Sequence, residues 1–286
     1  MTKTQHDRPT GCFVFRVAVW LLMATALLST FLMGEEKPLR RVEPLLLESR
    51  QPSIMTVGLH IEISPGWHLY WINPGDAGLA PEIAWDLPPG YEAGTLRFPT
   101  PEKIVQGDIV AYGFKNEVII LSEIKPAGLL APTGMPTIAC RLDWMACRES
   151  CVTGKETAKV SPAALTAVDL RRSRDILSRF APRFPKPLEA GRITAREAGL
   201  VKSGNGWQVE IAFPGKDAAR ISDFYPYPVE NFVVAHNRIA ANRGKVIIPL
   251  QPSGLSAALV RIDGLLILGD DVYEVSVPVK PIHCPS

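Results

Sequence analysis

Net charge is what this sequence most plainly lacks. Its 286 residues carry 31 Lys and Arg against 29 Asp and Glu, a formal +2, with the two signs dispersed among one another. No basic stripe of the kind that tracks a phosphate backbone is present, so no nucleic-acid partner is expected, and electrostatics name no other. Cysteine and histidine are also scarce, at five each. Beside Cys147 and Cys151, none of Cys140, His60, His68, His236 and His283 forms with another of that set a second closely spaced ligand pair, which counts against a structural zinc site. Long runs free of charge, proline and glycine are missing as well, with one exception at the N-terminus.

That exception reads as an export leader. Lys3, Arg8 and Arg16, against Asp7, precede an uncharged stretch from Val17 to Met33, and Gly34-Glu35-Glu36 closes it. A basic flank before an apolar core keeps the N-terminus inside and sends the rest across a membrane. At 1.5 Å per residue the core spans roughly 26 Å, long for a cleaved signal and short for a spanning helix. No clear A-x-A site precedes Glu35. Residues 1–34 are therefore expected to be a signal peptide or a membrane anchor, with residues 17–33 as the anchoring stretch. The remainder is expected outside the cytoplasm, in a bacterial periplasm, where disulfides persist.

The body reads as all-β. Val57, Leu59, Ile61 and Ile63 alternate with Gly58, His60, Glu62 and Ser64, the period of a strand with one wet face. Similar runs follow at 117–124, 137–142, 207–213, 245–250, 258–268 and 272–279. Turn clusters separate them: Asn73-Pro74-Gly75-Asp76, Leu87-Pro88-Pro89-Gly90, Pro132-Thr133-Gly134 and Ser203-Gly204-Asn205-Gly206. Twenty-six prolines and 22 glycines among short strands point to sandwiches rather than helical bundles. One helix breaks the pattern, capped by Asp169 and running from Leu170 to Phe180 with Leu170, Leu177 and Phe180 on one side; Pro182, Pro185 and Pro187 stop it. A boundary is placed there. The expected organisation is a first β-domain at 35–165, a helical linker at 166–190 and a second β-sandwich at 191–286.

Of the five cysteines, Cys12 lies in the leader, leaving Cys140, Cys147, Cys151 and Cys284. A bridge between Cys147 and Cys151 would remove little chain entropy, roughly 2 kcal/mol against nearly 5 for a loop of 100 residues, so a pure staple would be poorly placed. Residues four apart in a strand lie about 13 Å from each other, beyond the limit of about 7 Å between bridged Cα atoms. The chain must turn between them, and Arg148-Glu149-Ser150 is a turn-compatible spacer. Arg148 and Lys155 would lower a thiolate's pKa, and Glu149 and Glu156 would oppose them. A zinc or copper site would have to recruit Cys140, His60, His68, His236 or His283. Cys140 alternates with Leu142 and Trp144 and reads as a buried small hydrophobe, while Cys284 is either a free thiol or a partner for Cys140. Staple, half metal site and redox pair all stay open, with the redox pair favoured. Trp67, Leu69 and Trp71 read as core, Asn73 to Asp76 as a turn, and Glu102 and Asp108 as surface charge.

Three motifs carry a family resemblance. GWHLYWINPGDAG (Gly66 to Gly78), FPTPEKIVQGDIVAYGF (Phe98 to Phe114) and WMACRESCVTGKETAKVSP (Trp144 to Pro162) resemble the N-terminal periplasmic region of the DsbD and ScsB thiol:disulfide interchange proteins. The half beyond residue 190 resembles the second β-domain of ScsB-type members in general pattern. The resemblance implies tandem immunoglobulin-like sandwiches, the first with a cysteine pair that cycles between dithiol and disulfide. Cys147 and Cys151 match that pair; by the same match Cys151 forms the mixed disulfide with a partner and Cys147 resolves it. No cofactor is implied.

The departures bear on partners. Family members continue into a polytopic membrane domain and a thioredoxin-like domain, which this sequence does not contain. The expected electron donor is therefore a separate membrane thiol carrier or thioredoxin-like protein, and the acceptors are periplasmic disulfide-bonded proteins. DsbD proteins also shield the pair with an aromatic side chain, whereas Glu102 to Asp108 offers Ile104 and Val105, with Tyr112 further on. The alternative function is a non-catalytic β-sandwich adaptor for envelope assembly or copper handling, in which the bridge only fixes a loop.

Overall fold

The computed structural model describes residues 37–47, 54–128, 136–188, 195, 198–204, 206–253 and 258–280. The leader, Cys12, His283, Cys284 and the Pro132-Thr133-Gly134 turn lie outside the described residues. Among the described residues no helix is long and apolar enough to cross a membrane. From Pro38 onward the described residues group as one compact unit.

The first half contains β1 (Leu39–Leu47), β2 (Met55–Ile63), β3 (His68–Gly75), β4 (Glu82–Asp86), β5 (Tyr91–Ala93), β6 (Glu102–Gln106), β7 (Ile109–Lys115), β8 (Glu117–Pro126), β9 (Ile138–Cys147) and β10 (Cys151–Val160). They form two antiparallel sheets, ordered β1-β2-β8-β5 and β10-β9-β3-β7-β6, with β4 also paired to β9. Alternation in each strand sends one face into the space between the sheets. Leu59, Ile61, Val118 and Ile120 from the first sheet meet Leu69, Trp71, Tyr112, Phe114, Leu142 and Trp144 from the second. Trp67, Leu69 and Trp71 are core, as their spacing suggested.

The other face of β2 is not wet, contrary to the alternation reading. Gly58, His60 and Ser64 are buried. Much of the cover is a helix, α1 (Ala167–Phe180), which seats Ile176 and Phe180 against Leu45, Leu47, Ile119 and Leu121. Its start also differs from expectation. Thr166 is the N-cap, accepting from the Asp169 backbone N–H, and the Asp169 carboxylate reaches back to the Thr166 N–H in a capping box. Asp169 is thus the third helical residue rather than the cap, and the buried stripe runs through Ser173, Ile176 and Phe180, with Leu177 partly buried. Around His60, Glu43 accepts both guanidinium nitrogens of Arg172 at 2.7 and 2.6 Å, and Glu117 accepts from Arg179 at 3.0 Å. The two His60 ring nitrogens face the same two carboxylates, at 3.2 and 3.0 Å.

The second half is also a sandwich. Its strands are β11 (Lys186–Pro187), β12 (Ala198–Ser203), β13 (Gly206–Ala212), β14 (Ile221–Pro226), β15 (Phe232–Val234), β16 (Ala240–Asn242), β17 (Lys245–Pro252), β18 (Arg261–Leu268) and β19 (Asp271–Lys280). One layer is β14-β18-β19 and the other β12-β13-β17-β15, joined where β12 and β19 pair in parallel at Ala198↔Val279 and Gly199↔Lys280. A single core of aliphatic residues and Phe213 and Phe224 fills the space between them. β18 is buried on both faces, as its unbroken Leu-Leu-Ile-Leu run allows. Leu266 and Leu268 join this core, while Leu265, 1% exposed, enters the core of the first sandwich beside Trp71 and Tyr112.

Candidate functional site

Strand β9 runs further than its apolar pattern, through Met145 and Ala146 to Cys147, and β10 returns from Cys151. The two strands pair in register from Cys151↔Cys147 to Val160↔Ile138. Arg148-Glu149-Ser150 makes the turn, with the Arg148 N–H donating to the Ser150 carbonyl at 3.1 Å. The cysteines thus become cross-strand neighbours with Cα atoms 4.1 Å apart, joined by a disulfide. The turn that bond geometry demanded is a β-hairpin.

The bridge lies on the outer face of the second sheet. Along β9 the core takes Leu142, Trp144 and Ala146, so Met145 and Cys147 point away from it. The same alternation in β3 buries Leu69 and Trp71 in the core and sends His68 and Tyr70 outward. His68 pairs with Cys147 in the β3–β9 register. Tyr70 packs with Ala111 and Cys147, flanked by Ile104 and Met145, and its hydroxyl donates to the Cys147 Sγ at 3.0 Å. The ring is held from two sides. His68 meets it edge-on at 5.0 Å between centroids, and Gly78, at φ +103°, lies so close that a Cβ there would collide with the phenol ring.

The two sulfurs have unequal surroundings. Cys147 is 4% exposed, in the cluster with Tyr70 and Ala111 against which Ile104 packs, whereas Cys151 is exposed at the start of edge strand β10. Burial pushes the Tyr70 phenol above its ordinary range, so it remains a donor at neutral pH. Burial, and then the nearby Lys115, lower His68, keeping the imidazole neutral. The cations weighed from sequence point elsewhere: Arg148 lies over the Trp67 ring at 5.0 Å and Lys155 pairs with Asp143 at 2.8 Å.

Of the residues considered as a shield, Ile104 reaches the Cys147 cluster. Val105 is largely exposed, and Tyr112 is wholly buried on the opposite face, so neither covers the bridge. Glu102 pairs with Lys115 at 3.3 Å and Asp108 is exposed in the β6–β7 turn. Cys140 is a free buried thiol. Among the described residues no group of three His, Cys, Asp or Glu side chains is placed to hold a metal ion. Tyr70 and His68 both lie beside Cys147; the sequence reading passed over Tyr70 and named His68 as a residue that a metal site would have to recruit. The signal was available: an alternation that turns Trp67, Leu69 and Trp71 inward turns His68 and Tyr70 to the other face.

Fold and site together define an immunoglobulin-like sandwich with a cross-strand disulfide on one outer sheet face and a second β-sandwich behind it. Residues 42–162 match the family described as thiol:disulfide interchange protein DsbD, N-terminal, and the resemblance carried by the three motifs holds over that span. The crystal structure of the N-terminal periplasmic domain of ScsB from Proteus mirabilis is similar at 14% identity and a TM-score of 0.63, over 84% of this chain and 92% of that one. It shares the fold across both halves. The Neisseria meningitidis DsbD N-terminal domain in its reduced form aligns at 15% identity and a TM-score of 0.29, over 46% of this chain and 92% of that one. No curated protein matches the sequence.

Proposed function

We propose that the protein is an envelope thiol-disulfide exchange protein that relays reducing equivalents through Cys147 and Cys151. The observation that carries this is the asymmetry of the bridge: one sulfur is open to a partner, while the other is buried against a hydroxyl donor. The DsbD N-terminal match over residues 42–162 supports the same chemistry.

In the loading step a donor thiolate attacks the Cys151 Sγ. The Cys147–Cys151 bond breaks, a donor–Cys151 bond forms, and Cys147 leaves as a thiolate that receives the Tyr70 hydrogen bond. A second donor thiolate then displaces Cys151, leaving the donor oxidised and this chain a dithiol. In the unloading step the Cys151 thiolate attacks an acceptor's disulfide, and one acceptor sulfur departs with the electron pair. Cys147 then attacks Cys151, restoring the intramolecular bridge and releasing the acceptor's second sulfur. Two electrons pass at each stage, and no cofactor takes part. The donor is a separate membrane thiol carrier or thioredoxin-like protein, the acceptors are periplasmic disulfide-bonded proteins, and the setting is the periplasm, soluble or anchored by residues 17–33.

The test is trapping. Cys147→Ser removes the resolving thiol and should accumulate mixed disulfides through Cys151 in a periplasmic extract, whereas Cys151→Ser should accumulate few. The wild-type bridge should equilibrate above the roughly −300 mV below which structural disulfides resist glutathione. A bridge that resists reduction, or two variants that both trap nothing, would leave the adaptor reading in place. Equal trapping by both would keep the activity and overturn the roles.

A further inference from the structure

Lys103 and Ile104 are neighbours on β6, and strand geometry sends their side chains to opposite faces. Ile104 lies over the outer face, against the Tyr70, Ala111 and Cys147 cluster. Lys103 reaches the second sandwich, where its Nζ meets the Asp223 Oδ2 of β14 at 2.8 Å, the two side chains being 24% and 22% exposed. Tyr112, the cross-strand partner of Lys103, rests on the Tyr225 ring at 4.8 Å and meets the edge of His236 at 5.4 Å. Asn73, in β3, donates to the Pro226 carbonyl at 2.8 Å, and Asp76 accepts from the Val110 N–H of β7 at 2.8 Å. The segment read as a simple turn is therefore a clasp. β6 is an edge strand, laddered to β7 alone, so half of its backbone positioning is missing. The ties to β14 make up for it.

We propose that the second sandwich is a brace for the β6–β7 hairpin, holding Ile104 down over Cys147 so that incoming thiols are confined to Cys151. Lys103 and Asp223 are positioning residues that act through Ile104. The exchange reading supplies the biological use of this selectivity, but the shielding itself can be measured with any thiol reagent.

The experiment uses the full chain with Cys151→Ser, which leaves Cys147 as an unbridged thiol, and follows its alkylation by iodoacetamide with peptide-resolved mass spectrometry. Adding Asp223→Asn should speed alkylation of Cys147 about two- to fivefold, the factor that an ion pair of such exposure supports. Ile104→Ala alone should speed it too, and Asp223→Asn on top of Ile104→Ala should add little, because the brace has nothing left to press down. Charge reversal, Lys103→Asp with Asp223→Lys, should restore slow labelling. Cys140, buried in the core of the same sandwich, reports global opening and should stay unlabelled throughout. An unchanged rate with Asp223→Asn overturns the proposal. So does an equal effect with and without Ile104, or a parallel rise at Cys140. Failure of the partner-trapping experiment would leave these rates readable, so the two readings fall separately.

Discussion

Tyr70→Phe isolates one hydroxyl. The ring keeps its seat, because Phe retains the edge contact with His68 and fills the same space beneath Gly78. What disappears is the bond of 3.0 Å from the hydroxyl to the Cys147 Sγ. In the bridged state the acceptor is a neutral, weak sulfur and the loss is small. As the bridge opens, Cys147 takes on negative charge, and a hydrogen bond to an ionised acceptor contributes about 1.5–3 kcal/mol. Exchange transition states carry roughly half a charge on each terminal sulfur, as the Brønsted slope of about 0.4–0.5 indicates, so about 1 kcal/mol is lost at the barrier. That is about a fivefold slower reduction. Quenched-flow reaction with dithiothreitol, with free thiols counted by alkylation, measures it, and the melting temperature should be little changed. Because burial raises the phenol above its ordinary value, the donor proton is retained and the ratio of rates should hold from about pH 6 to 9. An unchanged or faster rate in the variant would refute the role of the hydroxyl.

Two further expectations concern stability and organisation. Burial alone would raise the Glu43 carboxyl, but hydrogen bonds from Arg172 and His60 and the charges of Arg172 and Arg41 outweigh it, so its pKa is lowered. A carboxylate depressed on folding adds stability that is complete above its unfolded value near 4.5 and is lost as pH falls through the folded value. Since Arg172 is 41% exposed, Glu43→Gln should cost about 1 kcal/mol at pH 7, roughly 2–4 °C in a thermal melt, and that difference should shrink below about pH 4. A constant difference at all pH values would disprove the linkage. Limited proteolysis tests the boundary proposed at residues 166–190. Two β-rich fragments should appear, with the bridge in the first, and should migrate together on a native gel because Leu265 is buried in the core of the first sandwich. Cuts confined to the termini would argue for one indivisible unit.

The runs that became β2, β8, β9, β13, β17, β18 and β19 were legible in the sequence because alternation is a local signal, whereas their order in the sheets was not. A turn between Cys147 and Cys151 followed from Cα geometry once a bridge was supposed, whereas the β9–β10 hairpin that makes it did not. Three things were hidden for physical reasons. His60 sits in a run with the pattern of a wet face, and only a helix more than a hundred residues later makes that face dry. Thr166 and Asp169 both suit an N-cap, and the reciprocal hydrogen bonds that decide between them are visible only in three dimensions. The Asn73 to Asp76 stretch has turn composition, yet β3 continues through Gly75, and the side chains at its ends tie together segments distant in the chain. Tyr70 belongs to a different category: the alternation that identified the core also predicted its direction, but without the course of β9 nothing said what it faced.

The in-register pairing of β9 with β10 has a consequence for the exchange cycle proposed for the pair. Both strands are ten residues long, and their ladder ends on the cysteines themselves. Breaking the sulfur–sulfur bond therefore frees no loop: the backbone keeps the two thiols side by side, and each remains at high effective concentration for the other. Reclosure asks for a rotation of side chains and no search by the chain, so each round of opening should cost the fold no more than the small loop entropy of the bridge, roughly 2 kcal/mol. On the proposed exchange reading, the oxidised and reduced forms should then present nearly one shape to their surroundings. A donor and an acceptor arriving at this face would meet the same surface, and what distinguishes loading from unloading is then the state of two sulfur atoms.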